Sequence, residues 1–145
     1  MRTVGTAAAQ NAAIAVLRIV IGVVFVMHGY QKLFVYGPAG VTDAMGKMGI
    51  PFPAVSAWLA SLAEFGGGLA FLLGFGTRLA AIPLAVTMLV ALFKVHLTNG
   101  FFLDKQGFEY VLTLLGGIVA LGLLGSGAWS VDGLLGKRKA RDEGG

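Results

Sequence analysis

SLAEFGGGLAF, Ser61 to Phe71, is an apolar stretch with a single carboxylate, Glu64, and no other charge occurs between Lys47 and Arg78. A run of this length can supply the ~20 residues that a membrane-crossing helix needs. A carboxylate near the bilayer centre costs roughly 2.5 to 3.5 kcal/mol on insertion scales, so Glu64 needs a partner, a proton or a task.

The rest of the chain agrees with a membrane reading. Of 145 residues, 57% are hydrophobic and 12% charged, and that charged share is about half of what soluble domains carry. We expect one domain of membrane helices over residues 1–136, a basic cytoplasmic tail over 137–145 (KRKARDEGG), and no soluble catalytic domain. The start, MRTVGTAAAQNA, places its small residues before the apolar run, the reverse of a cleavable signal, so the first segment is expected to stay as an anchor. Cysteine is absent, which excludes thiol and disulfide chemistry, cysteine-ligated iron-sulfur clusters and thiolate zinc sites.

Four apolar runs, at about 12–34, 54–75, 79–98 and 107–127, predict an all-α integral membrane four-helix bundle. The breaks are Tyr36 to Pro53, with a short interfacial helix around Thr42 to Met48, the turn Gly74 to Arg78, and Asn99 to Gly107. Arg2, Arg78, Lys137, Arg138, Lys139 and Arg141 fall on one side, and Lys47 and Lys105 on the other. The positive-inside rule then puts both termini in the cytoplasm. Pro83 is expected in or near the first turn of the third span, where a missing donor is tolerated. Gly66, Gly67, Gly68, Gly116 and Gly117 read as places of close helix packing.

Counting ~1.5 Å per residue puts Glu64 near the midplane and Arg18 about 6 Å to the inner side of its own span centre. An arginine reaches that far, so a structural ion pair between Arg18 and Glu64 is expected, with Glu64 as a proton carrier or ligand-orienting group whose protonation Arg18 tunes. His28, Lys94, His96 and Glu109 gather from three spans at about 8 to 11 Å outward of the centres, with Lys32 one turn beyond His28. Lys94 and His96 are two residues apart on a helix, so only one is expected to face inward. Each has a plainer reading: lysines reaching the outer headgroups, histidines bonded to a neighbouring helix, Glu109 at a helix N-terminus.

His28, His96 and Glu109 as a metal site, or the two histidines around a haem, lack any supporting ligand spacing, and neither metal nor haem is expected. GFGTR is not a phosphate-binding loop, and the basic tail reads as an anchor to anionic lipid rather than a nucleic-acid arm.

HGYQKLF, AEFGGGLAFLLGFGTRLAA, VHLTNGFF, FEY and GSGAWSVDGLL, in this order from about Leu17 to Leu135, resemble the DoxX family of small bacterial membrane proteins. The resemblance implies a four-helix protein of the inner membrane related to the DoxD-type subunit of thiosulfate:quinone oxidoreductase. Members of the family are generally linked to membrane oxidoreductase complexes and redox stress. Its pattern falls on Arg18, Lys32, Glu64, Arg78, His96, Glu109, Ser130 and Asp132.

The preferred reading is a quinone-interacting membrane subunit of an oxidoreductase. Glu64, Glu109 and His96 would be the catalytic candidates, His28, Lys32, Lys94 and Arg18 the ligand-binding ones, with Phe25 and Phe93 as apolar walls. The rivals are a non-catalytic scaffold that docks a redox enzyme and a small-solute transporter. A soluble or membrane redox partner and a homo-oligomer both remain open.

Overall fold

The computed structural model describes residues 4–143. Arg2 and the final two glycines of the tail lie outside the described residues.

The described chain is helical, with no strand among its elements. Six α-helices follow one another: α1 (Val4–Tyr30), α2 (Gly37–Lys47), α3 (Pro53–Leu73), α4 (Thr77–Ala91), α5 (Glu109–Leu124) and α6 (Val131–Asp142). Three continuous helical stretches are long and apolar enough to cross a membrane: Gly5–Val35, Pro53–Leu73 and Thr77–Asn99. The fourth expected span is α5, 16 residues long, about 24 Å at the α-helical rise.

α1 packs on α3 and α5, α4 packs on the same two, and α2 lies against α3. The shared core is Ile21 and Phe25 of α1, Phe71 of α3, Leu84 and Met88 of α4, and Ile118 and Leu121 of α5. A smaller cluster, Val41, Met45, Ile50 and Ala57, fixes α2 on the first half of α3. The remaining apolar side chains point outward: Val16, Leu59, Leu79 and Leu123 are each more than half exposed. That pattern suits helices whose outer faces meet hydrocarbon rather than water.

α1 and α3 run antiparallel and nearly touch. A Cβ on Gly29 would meet the Phe65 backbone, and one on Gly68 would lie 2.5 Å from the Val26 nitrogen. Gly67 and Gly117 are also contact positions, as the sequence leads one to expect, but Gly66 and Gly116 have nothing within 4 Å. Those two face outward.

Turn chemistry sets the helix ends. α3 opens on Pro53 and closes on Gly74 at φ 67°, where Phe75 N donates to Ala70 O at 3.0 Å and Gly74 N to Phe71 O at 3.2 Å. This is a Schellman cap. Since α4 begins at Thr77, Pro83 stands in its second turn rather than its first, and there it removes one backbone bond.

Two helices do not end as α-helices. α1 runs into a π turn at Gln31–Val35 and α4 into another at Leu92–His96, sealed by Tyr36 N to Gln31 O at 2.9 Å and by Leu97 N to Leu92 O. Such i→i+5 turns add a residue to the α pattern and are frequent at functional sites.

Candidate functional site

The two π turns flank a cavity of about 1030 Å³ between α2, α3 and α4. Its walls are mostly apolar, from Val41, Met45, Leu59, Ala63, Val86 and Val90 among others. Its acidic and basic side chains come from three places: Lys32 of the first π turn, Glu64 of α3, and Lys94 with His96 of the second π turn, with Tyr36, Ser56 and Thr87 also on the lining.

Glu64 is the buried member, 2% exposed. Its partner is Lys32, whose Nζ donates to Oε1 at 2.5 Å. The contact follows from the helix crossing: Gly29 backs onto Phe65, so Lys32, one turn past Gly29, comes level with Glu64. Glu64 Oε2 has no hydrogen-bond partner among the described residues. A buried oxygen left in that state is a costly feature and invites a functional explanation.

Arg18 is not the counterion of Glu64, and the expected ion pair is corrected here. Its Nη1 donates to Phe71 O at 2.7 Å and Leu72 O at 2.8 Å, and its Nη2 to Trp129 O at 2.7 Å. A cation on the last carbonyls of α3 is favoured by the helix dipole. The guanidinium is thus committed at the opposite end of α3 from the cavity mouth, and Arg18 is neither a cavity wall nor a ligand donor.

The outer group divides. Lys94 and His96 both stand on the cavity lining; Lys94 is exposed and His96 is half-buried, so of the two His96 is the more inward. His96 Nδ1 lies 2.7 Å from Gln106 O. A carbonyl only accepts, so Nδ1 carries the hydrogen and Nε2 is the variable nitrogen. His28 is exposed on the other side of α1 and stacks at a tilt on Tyr110, ring centroids 6.4 Å apart. Glu109 is taken up by its own loop, with Oε1 accepting from Leu103 N at 2.6 Å. Neither His28 nor Glu109 lines the cavity. Phe25 is buried in the core and Phe93 is 61% exposed, so neither forms a wall of it. Among the described residues no three His, Asp or Glu side chains gather closely enough to hold a metal ion.

Ser130 and Asp132 belong to a separate junction at the far end of the helices. Asp132 Oδ2 accepts from Gly76 N at 2.9 Å and from Ser126 Oγ at 2.6 Å, and Ser126 Oγ reaches Thr77 Oγ1 at 2.8 Å. Asn11 Oδ1 accepts from Ala128 N at 2.9 Å. Gly74 is hemmed in at this point: a Cβ there would lie 2.7 Å from Arg18 Nη1 and collide with Ser130. The junction ties α1, the α3–α4 turn and the root of α6 together. It has no sequence signal beyond the run GSGAWSVDGLL itself.

Apolar outer faces, three helices of spanning length and relatives named as inner membrane proteins define a small multi-pass membrane protein of the bacterial inner membrane. The chain belongs to the DoxX family, whose model matches residues 13–97. It is 36% identical over 129 residues to the inner membrane protein YqjF of Escherichia coli, covering 89% of this chain and 96% of that protein. It is 35% identical over 132 residues to the membrane protein Rv3486 of Mycobacterium tuberculosis, covering 84% and 80%. A Bacillus subtilis relative named "Putative oxidoreductase CatD" is 29% identical over 123 residues, covering 85% and 87%. No solved structure matches the chain.

Proposed function

We propose that the protein is a quinone-interacting membrane subunit of an oxidoreductase, with α1, α3, α4 and α5 crossing the bilayer as a four-helix bundle and both termini in the cytoplasm. The observation that carries this reading is the cavity: apolar walls beside lipid, one buried carboxylate with an unpaired oxygen, and three basic side chains around it. The relative named as an oxidoreductase adds weight.

These residues fit such a ligand. A ring with two carbonyls or hydroxyls needs hydrogen-bonding groups inside an apolar slot, and ligand pockets of this kind occupy about 300 to 1,000 Å³. When bound, a quinone supplies reversible two-electron, two-proton chemistry. Lys32, Lys94 and a protonated His96 are donors for a carbonyl, and neutral His96 Nε2 is an acceptor for a hydroxyl. Glu64 Oε2, without a hydrogen-bond partner among the described residues, is the atom the chain offers to a ligand hydroxyl. The apolar walls exclude water from that contact.

The rival is a scaffold in which Lys32 and Glu64 only hold α1 to α3. The two part on what copurifies. We expect mass spectrometry of an organic extract to find near-stoichiometric quinone with wild-type protein purified in mild detergent, and little with the Lys94→Met, His96→Phe variant. Equal traces in both, with both proteins eluting as folded species, would refute the quinone reading and favour the scaffold.

A further inference from the structure

α6 is fixed at its root and bare along its length. Ser130 caps it by accepting from Gly133 N at 3.0 Å, and Asp132 N donates to Gly74 O at 3.1 Å. With the Asp132 carboxylate on Gly76 N and Arg18 on Trp129 O, the first turn is tied to the α3–α4 turn. The helix therefore leaves the end of the membrane domain in a set direction. Every residue from Leu134 to Glu143 is exposed, and α6 buries none of its side chains.

The exposed part is ordered by helical spacing. Leu134, Lys137, Arg138 and Arg141 stand at steps of three, four and seven, which places them on one stripe. The stripe is apolar at its root, at Leu134, and cationic beyond it; Trp129, just ahead of the Ser130 cap, is 59% exposed. Lys139 sits off the stripe, 3.8 Å from Glu143. Lys137, Arg138 and Arg141 have no ion-pair partner among the described residues.

We propose that α6 is a surface helix that docks on anionic phospholipid, with Trp129 and Leu134 at the acyl boundary and Lys137, Arg138 and Arg141 on headgroup phosphates. The charge complementarity is direct: a juxtamembrane basic stripe is attracted to an anionic leaflet, and long basic side chains lay their stems along apolar surface while the charges meet phosphate. The crevice of about 340 Å³ beside the root is not the anion site, because the Asp132 carboxylate already occupies the positive end of α4 there. The proposal needs membrane insertion alone and stands or falls separately from the quinone reading.

The test uses the full chain in nanodiscs, zwitterionic or containing a substantial share of phosphatidylglycerol. Amide exchange across Leu135–Asp142 is expected to slow by roughly tenfold or more in the anionic discs and to lose that protection in high salt. In a Trp58→Phe background, Trp129 emission is expected to shift to the blue with the same lipid dependence. The Lys137→Gln, Arg138→Gln, Arg141→Gln variant removes exposed side chains that make no hydrogen bond or ion pair among the described residues, so it should fold normally and lose both responses. Equal exchange in the two lipids would overturn the proposal, as would protection that appears only when a soluble acidic protein is added.

Discussion

Gly29 and Phe65 face each other at the closest approach of α1 and α3, where a Cβ added to the glycine would lie 2.6 Å from the Phe65 Cα. The obstacle is backbone, which cannot rotate away. Gly29→Ala is therefore expected to push the helices apart and destabilise the protein by about 1 to 3 kcal/mol. Gly66→Ala, with nothing within 4 Å, is the matched control and should be neutral. Thermal unfolding in detergent compares the two.

The same crossing sets the Lys32–Glu64 pair, and its energetics have a definite sign. Lys32→Met leaves a buried carboxylate without its cation, which costs about 3 to 5 kcal/mol. Adding Glu64→Leu removes the orphaned charge, so the double variant should recover most of that loss. Arg18→Gln combined with Glu64→Gln should show no such recovery, because Arg18 bonds to Phe71, Leu72 and Trp129 carbonyls and not to Glu64. Recovery in the Arg18 cycle and none in the Lys32 cycle would reverse the pairing.

How far these features were legible in the sequence depends on what each side chain meets. The apolar runs, the lone Glu64 and the depth of Lys32, Lys94 and His96 follow from composition and helical rise. The interfacial helix near Thr42 also follows, though it starts earlier, at Gly37. Depth, however, does not give the direction around a helix, and counting by depth points to Arg18 rather than Lys32 as the partner of Glu64. Arg18 pairs differently from its expectation because its partners are backbone carbonyls, at Phe71, Leu72 and Trp129, and Glu109 likewise bonds a backbone amide, that of Leu103. A sequence does not display free carbonyls and amides. The π turns at Gln31–Val35 and Leu92–His96 also have no residue signature, yet they carry the three basic side chains of the cavity. The charge of the C-terminal tail was readable and its helix was not, since α6 rests on its cap and junction rather than on an apolar face.

Arg18 itself is a structural anchor for the α3 terminus. Arg18→Gln removes the fork that joins two α3 carbonyls to Trp129, and a loss of about 3 kcal/mol or more is expected from charge-assisted bonds in a buried place. Arg18→Lys should recover only part of it, because an ammonium cannot reproduce the planar fork. Amide exchange should rise first around Trp129–Gly133, at the root of α6, while the cavity end near Glu64 keeps its protection.

Occlusion of the cavity separates binding from stability. Ala63 lines it one residue before Glu64 and is only half-buried, so a larger side chain there extends into open space rather than into packed core. Ala63→Phe is expected to leave the unfolding temperature within a few degrees of wild type. It should lower the affinity for an added short-chain quinone at least about tenfold, a change of ~1.4 kcal/mol. Phe93→Leu is the control from the neighbouring helix surface: Phe93 is 61% exposed and away from the cavity, and its replacement should leave quinone affinity unchanged. Quinone binding that survives Ala63→Phe would move the ligand out of this cavity, and with it the role given to Lys32, Glu64, Lys94 and His96.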